Sequence, residues 1–376
     1  MRIGIEAQRI FRPNKHGMDF VILEVLRRLQ QTDDNNEYFV FTTPGQDRCL
    51  GNTERMHIIE SYYPTYLLWE QWGLPRMIHQ TKIDILHCTS NTGPLHCSVP
   101  LILTLHDIIF LNTPKSNKMS LYQKAGWYYR RWNVPRVVKN CRHIITVSET
   151  ERINILQRFP KLEKLLSVVH NGYSDCYCPL EDERVKAITQ RYLPDDKYLL
   201  FLGNTDPRKN TEGVLRAYND YLSHSQQALK LVITGLKQEY VEHLLTNLGI
   251  ETCAPHIVYT GYIPGDDLPA LYNGAFAFLY PSLHEGFGIP VLESMACGTP
   301  VITSNCSSLP EVAGKNGLLL NPYNPNEITN ALLLLENDPK FYHNQSSYGL
   351  ERVKQFSWQQ TADSYVKIYT QLNHHS

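Results

Sequence analysis

The stretch HEGFGIPVLESMACGTPVIT, residues 284–303, places Glu285 and Glu293 eight positions apart around a glycine-bearing turn. The preceding run, NGAFAFLYPS, is short, apolar and closed by turn residues, and IPVLESMACG is apolar with helical spacing and ends in glycine. The spacing therefore predicts strand, Gly-rich loop, helix. Such a junction gathers unpaired backbone N–H groups at the positive end of a helix dipole and suits an anion, with phosphate the first candidate.

The same rhythm runs outward in both directions. RIGIEA, EYFVFTT, MHIIES, DILHCTS, LILTLHD and HIITVSE alternate with helical patterns in the first half, and YLLFLG, LKLVITG, HIVYTG, AFAFLYPS and PVITSN do so in the second. Alternation of this kind predicts α/β architecture with mostly parallel, doubly wound sheets. The turn-rich segment YSDCYCPLEDE interrupts the pattern between Ser174 and Leu180. Three parts are expected: residues 1–175, residues 176–356, and a C-terminal helix, 357–376, that crosses back to the first part. Its anchors are Phe356, Trp358, Tyr365, Ile368 and Tyr369.

Composition narrows the function. A chain of 376 residues with 42% hydrophobic content can bury two cores. Its 36 Lys+Arg against 37 Asp+Glu give a net charge of -1, so no global field draws it to nucleic acid. Nine scattered cysteines without a CxxC pair suggest neither a disulfide framework nor structural zinc, and a reducing, cytoplasmic compartment is expected. Neither a secretory leader nor a membrane-spanning run is apparent.

The chemistry is read partly from absences. GxxxxGK[ST] is missing, Gly286 and Gly288 lack the third glycine of a dinucleotide fingerprint, and no Asp-x-Asp pair offers a carboxylate clamp for a divalent ion. Positive charge must come from side chains, and FLGNTDPRKN supplies Arg208 and Lys209 just after a strand. A carboxylate accepts hydrogen bonds from two adjacent sugar hydroxyls, so glutamates beside cations suggest a nucleotide diphosphate sugar.

Glu285, the seven residues to Glu293 and the MACGTPVITSNCSSLPEVAG that follows resemble glycosyltransferase family 4. LHDIIF, IITVSETER, VVHNG, GNTDPRKN and FSWQQTA extend the resemblance over nearly the whole chain. It implies the GT-B fold, two Rossmann-like domains facing a cleft. It also implies roles: Glu293 on the ribose, Glu285 on the transferred sugar, and backbone around Phe287, Gly288, Ile289 and Val291 on sugar and diphosphate. Arg208 and Lys209 would neutralise the diphosphate, and His106, with Asp107 as companion, would lie beside the sugar. Gly17 would approach the diphosphate, although RPNKHGMDF keeps one glycine where the family more often has two, with His16 as a compensating charge. Asn204 stands where some relatives place an arginine, a task that Arg208 would assume. His87 is a weaker second candidate, and Ser148 reads as either a helix cap or a ligand.

The activity implied is transfer of a hexose with retention, without metal or cofactor. The mannosyltransferase-like members are the nearest in pattern, so the expected donor is GDP-mannose, with UDP-sugars as the alternative. A non-catalytic nucleotide-sugar-binding subunit is the other reading. The acceptor is expected to be a saccharide, lipid-linked, in surface polysaccharide or glycan biosynthesis. Residues 118–140, KMSLYQKAGWYYRRWNVPRVVKN, and SYYPTYLLWEQWG mix aromatics with cations. They read either as peripheral contact with the inner membrane face or as ordinary helices with Trp127 and Trp132 packed inward.

Overall fold

The computed structural model describes residues 1–13, 15–111, 121–193 and 197–373. It divides into two compact units, one of Met1–Asn171 with Trp358–Ser376 and one of Gly172–Ser357.

In the first unit the apolar runs become β1 (Arg2–Glu6), β2 (Glu37–Thr42), β3 (Met56–Glu60), β4 (Ile85–Cys88), β5 (Leu101–Leu105), β6 (His143–Thr146) and β7 (Leu166–Val168). They form one sheet in the order β3-β2-β1-β4-β5-β6-β7, with all pairs parallel. A parallel sheet covered on both faces needs apolar residues at successive positions, and this is why LILTL at β5 is buried throughout.

The second unit contains β8 (Tyr198–Leu202), β9 (Lys230–Thr234), β10 (Ile257–Gly261), β11 (Ala275–Tyr280), β12 (Val301–Ser304) and β13 (Leu318–Leu320). Their order, β10-β9-β8-β11-β12-β13, is again all parallel. The chain runs outward from β8 to β10 on one side, then returns to lay β11 against β8 on the other. This reversal makes a topological switch point between β8 and β11, and in such sheets ligands bind beyond the carboxyl ends of the strands there. Leu279 pairs with Phe201 and Tyr280 with Thr303, so the loops after β8, β11 and β12 leave the sheet side by side.

The helix Trp358–Asn373 belongs to the first unit. Gln359 donates to Thr32 Oγ1 at 3.1 Å and Thr361 to the His170 carbonyl at 2.7 Å. Trp358, Tyr365, Ile368 and Tyr369 are buried. Phe356 precedes the helix and packs edge-to-face on Phe287 of the second unit, 5.9 Å between centroids, so it anchors the other unit.

This helix also corrects one candidate. His87 is fully buried, with Nδ1 2.7 Å from the Tyr369 hydroxyl and Nε2 2.7 Å from Thr104 Oγ1. Burial pulls its pKa down to about 3, so it is a neutral core histidine. Ser148 caps the helix Glu149–Arg158, accepting the Glu151 N–H at 3.1 Å. Among the described residues no helix is long and apolar enough to cross a membrane.

Candidate active site

At the second unit's switch point, Gly203–Asn210 leaves β8 and a short 3₁₀ turn, Pro207–Lys209, leads into the helix Thr211–His224. Asp206 caps that turn by accepting the Arg208 N–H at 3.0 Å, and its carboxylate also receives the Arg208 guanidinium, Nη2 to Oδ2 at 2.6 Å and Nε to Oδ2 at 3.0 Å. Burial raises the Asp206 pKa, but these hydrogen bonds outweigh it and hold the carboxyl below its ordinary range. Asn204 is exposed and accepts the Asp206 N–H at 2.8 Å, closing the turn one step earlier.

Lys209 reaches across to the next loop. Its Nζ lies 2.6 Å from Glu285 Oε1 and 2.9 Å from the Tyr280 hydroxyl, with the lysine and glutamate side chains 25% and 14% exposed. Further bonds reinforce the junction: the Leu283 N–H donates to the Arg208 carbonyl at 2.7 Å, and the side-chain amide of Asn210, a residue at φ 58°, donates to the Pro281 and Pro322 carbonyls at 3.1 and 2.8 Å.

The HEGFG loop is strapped from a third side by the loop after β12. Ser307 Oγ accepts the Glu285 N–H at 3.1 Å and donates to the Glu285 carbonyl at 2.7 Å. Ser308 Oγ, fully buried, lies 2.9 Å from the Glu285 carbonyl and 2.7 Å from that of Phe287. Phe287 is itself a buried anchor. Gly288 adopts φ 117° at the N-cap of the helix Ile289–Ala296, a conformation open to glycine.

Not every expected backbone donor points outward. The Val291 N–H bonds the Gly288 carbonyl at 3.0 Å and its side chain is core, so of the pair Ile289 and Val291 the second is used up inside the turn. Glu293, on the same helix, accepts from the Tyr272 hydroxyl at 3.0 Å and from Tyr177. Burial pushes its carboxyl up to about 7 against the pull of those two phenols. Tyr280 feels both glutamates, bonding Glu285 and lying within electrostatic reach of Glu293. Arg208, Lys209, Glu285, Phe287, Gly288 and Asn204 thus lie in the loops beyond the carboxyl ends of β8 and β11, with Glu293 one turn into the helix that follows.

The remaining candidates belong to the first unit. His106 follows β5, is buried, and shares its Nε2 with the Thr89 carbonyl at 2.9 Å. A carbonyl can only accept, so Nε2 carries the proton and Nδ1 holds the lone pair of the neutral ring, which burial favours. Gly17 opens the helix Gly17–Thr32. The cations around it are engaged: Arg12 pairs with Asp19, Lys15 with Asp47, and the Asp19 carboxylate also accepts the His16 N–H at 2.7 Å. Burial and Arg12 lower the His16 pKa, which disfavours it as a compensating charge.

Among the described residues no three His, Cys, Asp or Glu side chains gather as a metal site requires. What the site brings together is a pair of cations fixed by carboxylates, a strapped glycine loop, and carboxylates held by hydroxyls.

Residues 16–175 match the family described as Glycosyltransferase Family 4, and residues 186–352 match Glycosyl transferases group 1. The O-antigen chain mannosyltransferase B of Escherichia coli is 31% identical over 316 residues, 84% of this chain and 80% of that protein. The chain belongs to glycosyltransferase family 4. The O-antigen chain mannosyltransferase RfbU of Salmonella typhimurium is 25% identical over 335 residues, 87% of this chain and 86% of its own. Sucrose-phosphate synthase from Thermosynechococcus elongatus superposes with a TM-score of 0.76 at 19% identity over 100% of both chains. The fold of this glycosyltransferase is GT-B, with two Rossmann-like units, and the enzyme is a hexosyltransferase.

Asp206, Tyr280, Ser307, Ser308, Tyr272 and Tyr177 escaped the sequence reading. Asp206 had a signal, an Asp-Pro two residues before the key arginine. The serines and tyrosines read as loop polarity and strand aromatics.

Proposed function

We propose that this glycosyltransferase moves mannose from GDP-mannose to a saccharide acceptor carried on lipid, in the assembly of a surface polysaccharide, with retention of configuration and without a metal ion. The mannose assignment draws on two relatives named as O-antigen chain mannosyltransferases. The observation that carries the reading is Lys209, fixed by Glu285 and Tyr280 beside Arg208 at the switch point.

Breaking the anomeric bond puts charge on the departing diphosphate. Cations already held in place stabilise that charge without reorganising. Asp206 orients Arg208 and Glu285 orients Lys209, so the same carboxylate that would meet a sugar hydroxyl also positions the cation for the leaving group. A double displacement needs a nucleophile and an acid about 5 Å apart across the sugar. The reading assigns no such nucleophile: the acceptor hydroxyl attacks the face the diphosphate leaves, and a phosphate oxygen takes its proton.

A thermal-shift screen of GDP, UDP, ADP and their sugar conjugates, with and without EDTA, tests donor and metal together. At a hundredfold excess over Kd a bound nucleotide adds about 2.7 kcal/mol. GDP and GDP-mannose are expected to raise Tm equally with and without EDTA. A shift by UDP alone transfers the assignment to UDP-sugars, and a shift abolished by EDTA ends the metal-free mechanism.

The lipid-linked acceptor is favoured by a surface of the first unit. Trp72, Tyr128 and Trp132 are 59%, 65% and 43% exposed, while Trp127 packs against the core. Gln71 donates to the Tyr129 hydroxyl at 2.8 Å, tying the turn that carries Trp72 to the helix Leu121–Val137, and Arg136 sits 5.0 Å over the Trp132 ring. Residues 118–120 of the aromatic segment lie outside the described residues. Exposed aromatics interleaved with arginine suit a headgroup layer. Sedimentation with anionic vesicles is expected at low salt and should fail at about 1 M, where the Debye length is about 3 Å. Equal sedimentation of Trp72→Ser, Trp132→Ser and the parent chain would remove the membrane contact.

A further inference from the structure

We propose that Tyr177 and Tyr272 are positioning residues that hold the Glu293 carboxylate for the donor, so that the segment opening the second unit takes part in donor recognition. This rests on the ribose-reading role of Glu293.

Tyr272 lies in the helix Leu268–Gly274, fully buried, its ring wedged edge-on between Phe278 at 5.1 Å and Tyr177 at 5.8 Å. That clamp leaves its hydroxyl one direction, toward Glu293 Oε2 at 3.0 Å. Tyr177 brings the second phenol to the same carboxylate. The residue after Tyr272 secures the segment that carries Tyr177: Asn273 accepts the Leu180 N–H at 2.9 Å and donates to the Cys178 carbonyl at 3.0 Å. One short helix therefore grips Glu293 with one residue and the opening segment with the next. A shift of that segment against the rest of its own unit would be felt at the carboxylate.

The phenols do more than aim the side chain. Burial disfavours the ionised carboxylate and each donated hydrogen bond favours it. An ionised Glu293 can accept from two hydroxyls, whereas the protonated form gives up part of that capacity. Among the described residues Tyr177, Tyr272, Tyr280 and Cys297 are the titratable groups in electrostatic contact with it, and burial keeps each of these neutral. Donor affinity should then rise with pH as Glu293 ionises through about 7. Removing a phenol should move that rise to higher pH.

The test is calorimetric titration with GDP-mannose and with UDP-glucose between about pH 5.5 and 8.5, alongside steady-state kinetics. The variants are Y177F, Y272F and E293Q, with Y218F, a buried tyrosine bonded to the Leu229 and His256 carbonyls, as the stability control. Y177F and Y272F are each expected to raise donor KM about 3–10-fold near neutrality, the size of one lost hydrogen bond, with kcat within about twofold. The deficit should narrow at the alkaline end, and E293Q should bind weakly at every pH. Weak binding by E293Q alone, with both phenylalanine variants following the parent profile, overturns the positioning role while leaving that of Glu293. Normal binding by E293Q removes the ribose-reading role itself. A loss of Tm in the phenylalanine variants matching Y218F, with no change in pH profile, makes the tyrosines structural only and overturns the proposal.

Discussion

Lys209→Ala is expected to lower kcat by about 10²–10³-fold, the cost typical of losing one preorganised electrostatic donor, while donor Kd moves less than about tenfold. The reason lies in where the charge is needed. In the proposed mechanism the ground-state diphosphate is already ionised and would be met by Arg208 and backbone N–H groups, whereas the charge that develops as the anomeric bond breaks has to be met by a cation that does not have to move. Lys209 is such a cation, fixed at 2.6 Å by Glu285 and at 2.9 Å by Tyr280. Lys209→Arg keeps charge but not the compact ammonium geometry, so it should recover only part of the rate. Glu285 and Lys209 touch, so the double variant should lose far less than the sum of the two single losses. Normal single-turnover rates in Lys209→Ala would sink the assignment.

This dependence explains which parts of the site could be read from the sequence. Glu285, Arg208 and Lys209 stood out as charged residues after apolar runs, and Glu293 as a charge one turn into an apolar helix, places where charge needs a reason. The two sheets were legible for the related reason that buried parallel strands are apolar at most successive positions. The partners that make the site rigid carry no such mark. Ser307 and Ser308 reach back 22 and 23 residues to the Glu285 carbonyl, and a serine in a loop looks alike whether it straps a neighbouring strand or faces water. His87 misled in the opposite direction: its strand-end position suggested a ligand, but the residue that satisfies it, Tyr369, lies 282 positions away. Gly17 showed the same limit, since the acidic partners that engage the cations around it come from the helix it begins and from Asp47.

Gly288→Ala is expected to destabilise the protein by about 2–4 kcal/mol, combining a strained backbone with overpacking, and to lower Tm by roughly 5–15 °C. At φ 117° and ψ 48° an L-residue is outside its ordinary regions, and the added Cβ would stand 2.8 Å from Leu309 Cδ2. Leu309 is fully buried and cannot withdraw into solvent. It follows Ser308, whose hydroxyl bonds the Glu285 and Phe287 carbonyls, so displacing it slackens the loop that carries Glu285. Donor affinity should therefore fall together with stability. Gly298→Ala separates the two causes: it too has a positive φ, 75°, but its nearest neighbours are 3.5 Å or more from an added Cβ, an ordinary contact. That variant should lose about 1 kcal/mol from backbone strain and leave donor titration unchanged. Thermal melts and donor titrations of both variants decide the matter. If Gly288→Ala melts and binds like Gly298→Ala, the packing of Leu309 is not what holds the HEGFG loop, and the serine straps alone must account for its rigidity.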